Sequence, residues 1–117
     1  MEESILISIK EMLTGTNESY GPYDREIMTH INTHLMTLTQ LGVGPKDGFM
    51  ISSDAETWKD FLGESGKFEM AKTYVYVKVK LVFDPPSSGT YLQSLKEEAD
   101  TLEWRLNMQA ESNESQN

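Results

Sequence analysis

Two histidines have the spacing most suggestive of chemistry. His30 and His34 lie four positions apart, and Glu26 lies four positions before His30. Residues four apart share one face of a helix, so the three side chains could act as metal ligands. The zinc-protease pattern, however, needs glutamate directly after the first histidine, where this chain has Ile31. Because His34 also lies within an apolar stripe, we predict that both histidines are structural, with His34 partly buried and hydrogen-bonded, and that the chain binds no metal.

No other catalytic pattern stands out. The chain has no cysteine, which excludes disulfides and thiolate metal ligands. Its glycine-rich stretches are not phosphate-binding loops, because Gly42-Val43-Gly44 is followed by Pro45 and not by a helix start. No nucleophile motif occurs, and no carboxylate pair has the spacing or apolar flanks of an acid–base pair. The sequence therefore predicts a protein that is not an enzyme and has no cofactor.

The histidines belong to the clearest helix of the chain. Asp24 is suited to cap its N-terminus. Gly42 is suited to a left-handed C-terminal position, and Pro45 prevents continuation of the helix. The apolar stripe between these ends consists of Ile27, Ile31, His34, Leu35, Leu38 and Leu41.

Two shorter helices are predicted, one ending at Gly15 and one of about two turns ending at Gly63. Ser53 and Glu56 have capping-box spacing ahead of the second. Residues 49–51 are the one other candidate for a small extended segment. We predict a single core that contains Ile31, Leu38, Trp58, Phe61 and Tyr74.

The segment TYVYVKVKLVFDPPSSG, residues 73–89, raises the main question about the fold. Its first half alternates apolar and polar residues like a β-strand. A strand here would have only residues 49–51 as a partner, and a two-stranded sheet is barely stable. No glycine or proline interrupts residues 67–84, a length that favours a helix. We therefore predict a central helix over Phe68–Phe83, with one face formed by Ala71, Tyr74, Val75, Lys78, Leu81 and Val82.

A last long helix is predicted over residues 86–109, where Ser87 or Ser88 can cap its start. Trp104 lies opposite the apolar stripe of this helix, so it is either exposed or reserved for a partner. We predict one helical domain over residues 1–109 and a disordered polar tail over residues 110–117. The fold class is all-α, a small bundle of about four to five helices with a long C-terminal helix.

The charge distribution narrows the classes of function. A net charge of −9 argues against a general nucleic-acid binder, which needs cationic groups. Residues 67–80 alone are basic, with four lysines and one glutamate, and acidic surfaces could attract this segment in a neighbouring copy. No segment has the roughly 18 consecutive apolar residues that span a bilayer. Glu2 and Glu3 are negatively charged, whereas a secretory signal starts with positively charged residues. We therefore expect an intracellular protein without a membrane partner.

Three stretches resemble a known family: YDREIMTHINTHLMTLTQLGVGP, TWKDFLG and AKTYVYVKVKLVFDPP…LKEEADTLEWRLNMQ. They are similar to the small head–tail connector proteins of long-tailed bacteriophages and prophages of Gram-positive hosts. The resemblance covers most of residues 23–109. Its most specific parts are the Asp-Pro-Pro break and the terminal Glu-Trp-Arg-Leu-Asn.

The resemblance implies an all-α structural protein that docks as a dodecameric ring beneath the portal. Such a ring extends the DNA channel, through which DNA passes without specific binding, and carries the next head-completion or tail protein. It also implies a location at the head–tail interface of the virion, after synthesis in the host cytoplasm. Two alternatives stay open: another head-closure or tail-completion protein, and a small helix-turn-helix regulator. The candidate interface residues are Lys78, Lys80, Trp104, Arg105 and Met108.

Overall fold

The computed structural model describes residues 3–15, 21–63 and 68–115, with the backbone alone for Phe68 and residues 109–115. These residues form five α-helices and no strand: α1 (Ile5–Thr14), α2 (Asp24–Gln40), α3 (Trp58–Leu62), α4 (Phe68–Phe83) and α5 (Gly89–Ser115). The predicted all-α fold with a long C-terminal helix is confirmed.

Helix α4 is the centre of the bundle and packs against each of the other four helices. Residues two apart on a helix point about 200° away from each other. Val75 and Val79 accordingly lie in the main core, while Val77 lies on the other side with Leu95 and Ala99 of α5. A period-two apolar pattern is therefore also what a helix produces when it is buried on two opposite sides.

One residue that was predicted on the apolar face of α4 is exposed in the structure. Val82 is 55 % exposed, although it shares the angular position of the buried Ala71 and Val75. Val82 belongs to the last turn of α4, and its side chain is open to solvent there. The side chain of Lys78 is half-buried, as expected for a lysine whose stem packs while its ammonium reaches water.

The ends of α2 differ in how well the sequence predicted them. Asp24 is not the N-cap: it is the first helical residue, Tyr23 precedes it without a side-chain cap, and the Asp24 carboxylate pairs with Lys10 at 2.9 Å. The burial of Lys10 explains the difference, because a buried ammonium needs an anionic partner. At the other end, Gly42 has φ 94°, as predicted, and the Val43 N–H donates to the Leu38 carbonyl at 2.8 Å.

Helix α3 is capped by residues other than those predicted. The capping box is Thr57 with Asp60, whose side chains and backbone N–H groups bond reciprocally. Glu56 instead accepts hydrogen bonds from the backbone N–H groups of Ser52 and Ser53, which closes the preceding turn. Burial opposes ionisation of Glu56, but these hydrogen bonds outweigh it and lower the pKa of the carboxyl group.

The segment before α3 is fixed without strand pairing. Both backbone groups of Ile51 bond the Asn32 side chain of α2, the N–H at 2.7 Å and the carbonyl at 3.0 Å. Residues 49–51 therefore do not form the extended strand considered from the sequence. A Cβ at Gly44, which has φ 85°, would overlap the ring of Phe61, so this loop lies directly on α3.

The predicted core is confirmed, since Ile31, Leu38, Trp58, Phe61 and Tyr74 all lie in one buried cluster. The indole N–H of Trp58, although buried, has a hydrogen-bond acceptor: it donates to the Ser8 hydroxyl at 2.8 Å. A buried indole without such a partner would lose a hydrogen bond that it makes with water when unfolded.

Helix α5 begins where the sequence indicated and runs further than predicted. The Ser88 hydroxyl accepts from the Tyr91 N–H at 3.3 Å and so caps the helix. The helical backbone continues to Ser115, beyond the predicted end at 109, because no glycine or proline follows Gly89. The division into a domain over residues 1–109 and a tail over residues 110–117 stays a prediction.

Candidate protein interface

The candidate metal ligands of α2 do not converge. His34 is buried with 9 % of its surface exposed, whereas Glu26 is exposed and His30 is half-buried. Among the residues that the structure describes, no group of three His, Asp or Glu side chains could hold a metal ion.

His34 differs from the hydrogen-bonded histidine that the sequence predicted. Its ring stands edge-to-face against Tyr74, with 6.4 Å between ring centres. Neither ring nitrogen has a hydrogen-bond partner among the described residues, because the apolar side of α2 presents no acceptor there. Burial, with a further contribution from the charges of Lys78 and His30, lowers the pKa of His34 to about 4. The ring is therefore neutral at pH 7 and acts as part of the core.

Helix α5 presents two different faces. Its inner face is the stripe expected from the sequence, with Leu95, Ala99, Leu102 and Leu106 buried. Its outer face carries Trp104 and Met108, one turn apart and 64 % and 46 % exposed. Arg105 is exposed beside them. The three candidate residues on α5 are therefore accessible to another protein.

Trp104 forms one wall of an open groove of about 340 Å³, which we call the Trp104 groove. Its other lining residues are Leu41, at the end of α2, and Asp100, Glu103 and Asn107 of α5. Asn107 and the Leu41 carbonyl are within hydrogen-bond distance at 3.4 Å, which ties α5 to the end of α2. The groove is thus formed where two helices meet and does not belong to α5 alone.

Glu103 is held in position from inside the core. The Tyr74 hydroxyl donates to a carboxylate oxygen of Glu103 at 3.1 Å. Burial and the negative charge of Glu103 raise the pKa of Tyr74, so the hydroxyl stays a donor. This hydrogen bond fixes the Glu103 carboxylate beside the groove and supplies the half-buried glutamate with a hydrogen-bond donor.

The candidate lysines of α4 are not at the Trp104 groove. Lys80 pairs with Asp84 at 3.5 Å and lines a separate depression with Tyr91 at the start of α5. Tyr91 and Trp104 are thirteen residues apart on one helix, which is about 20 Å along its axis. Lys80 therefore lies in a different region from the candidate residues of α5, and Lys78 lines neither depression.

In the basic segment, residues 67–80, part of the positive charge is offset by ion pairs within the chain. Lys72 forms an ion pair with Glu3 at 2.8 Å, and Lys80 is paired with Asp84. Each pair offsets one positive charge within the same chain. The segment is consequently a weaker attractant for acidic surfaces than the count of lysines implies.

Comparison with known proteins decides the family. The family model of the phage connector proteins matches residues 5–113, which include all five helices up to the last turn of α5. The chain belongs to the phage connector family. A search of curated proteins and a search of solved structures found no match.

Membership of the connector family supports a general role as a head–tail connector and a place among virion-associated proteins. The family is one of structural proteins. Within the described residues, none of the helices is both long enough and apolar enough to cross a membrane. The connector family thus confirms the resemblance found in the sequence.

Trp104 was predicted from the sequence as an interface residue, but the other residues of its groove were not. Asp100 and Asn107 lie four residues before and three residues after Trp104, so helical spacing alone would have placed them beside it. Leu41 is 63 positions away from Trp104 along the chain, and only the packing of α2 on α5 brings it there.

Proposed function

We propose that this connector assembles as a ring beneath the phage portal, where it extends the DNA channel and carries the next head-completion or tail protein. The proposed partners are further copies of this chain, arranged as a dodecameric ring, together with the portal protein and the downstream protein. DNA passes through the channel without specific binding. The proposed location is the head–tail interface, reached after synthesis in the host cytoplasm.

The observation that carries this proposal is the exposed face of Trp104 and Met108 in a chain that belongs to the connector family. Tryptophan is enriched at protein interfaces, and exposing one to water forgoes the gain of burying a large apolar surface. A ring subunit needs two different surfaces, one for each neighbour, in addition to any surface for the portal. The outer face of α5 is well suited to one of these contacts, and Arg105 extends it with a charged group.

The charge of the chain suits passage of DNA. With a net charge of −9, a ring of such subunits presents little positive charge to hold phosphates. A basic wall would instead bind DNA and slow its movement.

The test is the substitution Trp104→Ala, with stability and association measured on the same protein. Because Trp104 is mostly exposed, the melting temperature and helicity of the monomer should change little. Association into rings or with the cognate portal should weaken by about 2 kcal/mol or more, the scale of an interface hot spot. Analytical ultracentrifugation with and without the portal measures this loss.

Met50→Ala is the matched control, since Met50 is an apolar side chain that is 66 % exposed on the loop before α3. Its truncation should leave association unchanged. If Trp104→Ala instead lowers the melting temperature while association stays the same, Trp104 covers the domain's own core and the proposal is wrong.

A further inference from the structure

The Trp104 groove combines an aromatic wall with carboxylates. The indole of Trp104 is 64 % exposed, and Asp100 and Glu103 line the same groove. In the described part of the chain, no ion pair engages either carboxylate. Glu103 is held in place by the Tyr74 hydroxyl at 3.1 Å, so its negative charge has a fixed position.

The end of α2 adds to the negative potential of the groove. Leu41 is the C-terminal cap of α2, and the last carbonyl groups of a helix carry a partial negative charge. Asn107 bonds only one of these carbonyls, that of Leu41 itself. The carboxylates and the helix terminus therefore disfavour an anion in this groove and favour a cation.

An aromatic face beside carboxylates is complementary to the side chain of arginine or lysine. The cation is attracted by the face of the indole, and the carboxylates accept charge-assisted hydrogen bonds from it. The aliphatic stem of either side chain can lie along the exposed ring. A purely apolar side chain would cover Trp104 but leave the carboxylates without partners.

We propose that the Trp104 groove receives an arginine or lysine side chain of the protein that docks on the outer face of α5. This inference rests on the proposed function, because it names the chemistry of the partner at that surface. Lys72 and Lys80 of a second copy are poorer candidates, since they already pair with Glu3 and Asp84.

The test uses a small cationic probe, so it needs neither a ring nor a portal. N-acetyl-arginine amide is titrated into the protein at low ionic strength, and the indole N–H signals of both tryptophans are followed by NMR. The Trp104 signal should shift and saturate at millimolar probe. The Trp58 signal should stay fixed, because that indole is buried and bonded to Ser8. N-acetyl-citrulline amide, which has the same shape without the charge, should shift Trp104 much less.

The paired substitution Asp100→Asn with Glu103→Gln should weaken the arginine response about tenfold, while glutamine still accepts the Tyr74 hydrogen bond. Glu98→Gln is the control, since Glu98 is exposed on the same helix outside the groove. Equal shifts with citrulline, or an undiminished arginine response in the paired variant, would overturn the inference. So would a Trp104 signal that moves with protein concentration alone, because a second copy would then fill the groove. If the probe fails but Trp104→Ala still weakens portal association, the connector proposal stands and only the partner's chemistry is wrong.

Discussion

Acidification to pH 5 should destabilise this protein mainly through His34. The histidine pKa falls from 6.5 to about 4 on folding because the ring is buried, with further contributions from Lys78 and His30. Between these two values the unfolded chain binds the proton and the folded chain does not, so stability falls as the pH falls through this window. The loss begins near pH 6.5 and is complete below about pH 4.

The size of the loss in stability follows from the size of the pKa shift of His34. One pKa unit corresponds to about 1.4 kcal/mol, so the whole window is worth about 3 kcal/mol, of which about 2 kcal/mol is lost by pH 5. Ordinary carboxyl groups are still mostly ionised at pH 5. Glu56, whose pKa is lowered by the turn that it closes, loses its contribution only at lower pH. The interval from pH 7 to pH 5 therefore isolates the histidine.

Urea unfolding followed by circular dichroism at both pH values measures this loss. His34→Leu replaces the unpartnered ring by an apolar side chain and should reduce the difference between pH 7 and pH 5 to below about 0.5 kcal/mol. His30→Gln is the control, because it removes the other imidazole, one turn away and the smallest contributor to the shift, and should leave the difference near that of the unmodified protein. A variant lacking His34 that loses the same stability at pH 5 would refute the reasoning.

Two further predictions concern the core and the histidine pair. Leu38→Ala and Phe61→Ala should each cost about 2–5 kcal/mol of unfolding free energy, since both side chains are buried in the main core. Losses below about 1 kcal/mol at both positions in urea unfolding would contradict this. Stoichiometric zinc should leave the melting temperature unchanged, because His34 is buried in the core while Glu26 is exposed and His30 is half-buried. A rise of several degrees that His30→Ala abolishes would show metal binding to the folded state.

Local signals in the sequence predicted those features that depend on one element. The glycine and the apolar stripe of α2 depend only on helix geometry, and both are in the structure where expected. The N-terminal cap of α3 was harder to predict, because two residue pairs near its start have the spacing of a capping box. Ser53 and Glu56 fit the usual pattern, whereas the true pair, Thr57 and Asp60, has aspartate in place of glutamate or glutamine.

Features that depend on contacts between neighbouring helices could not be predicted from the sequence. Val82 matches the buried face of α4 in angle, and only the extent of the surrounding helices decides that it is exposed. His34 was expected to have a hydrogen-bond partner, but whether an acceptor faces it depends on α4. The Trp104 groove likewise needs Leu41 from α2, which no pattern in α5 indicates.

The composition of α4 has a consequence for the unfolded chain. Residues 74–80 alternate valine with tyrosine and lysine, and this is the pattern of segments that stack as cross-β fibrils. In the native bundle the other four helices cover this segment, so it becomes hazardous only when the chain opens. Lys78 and Lys80 then act as charged gatekeepers, which oppose the stacking of identical strands.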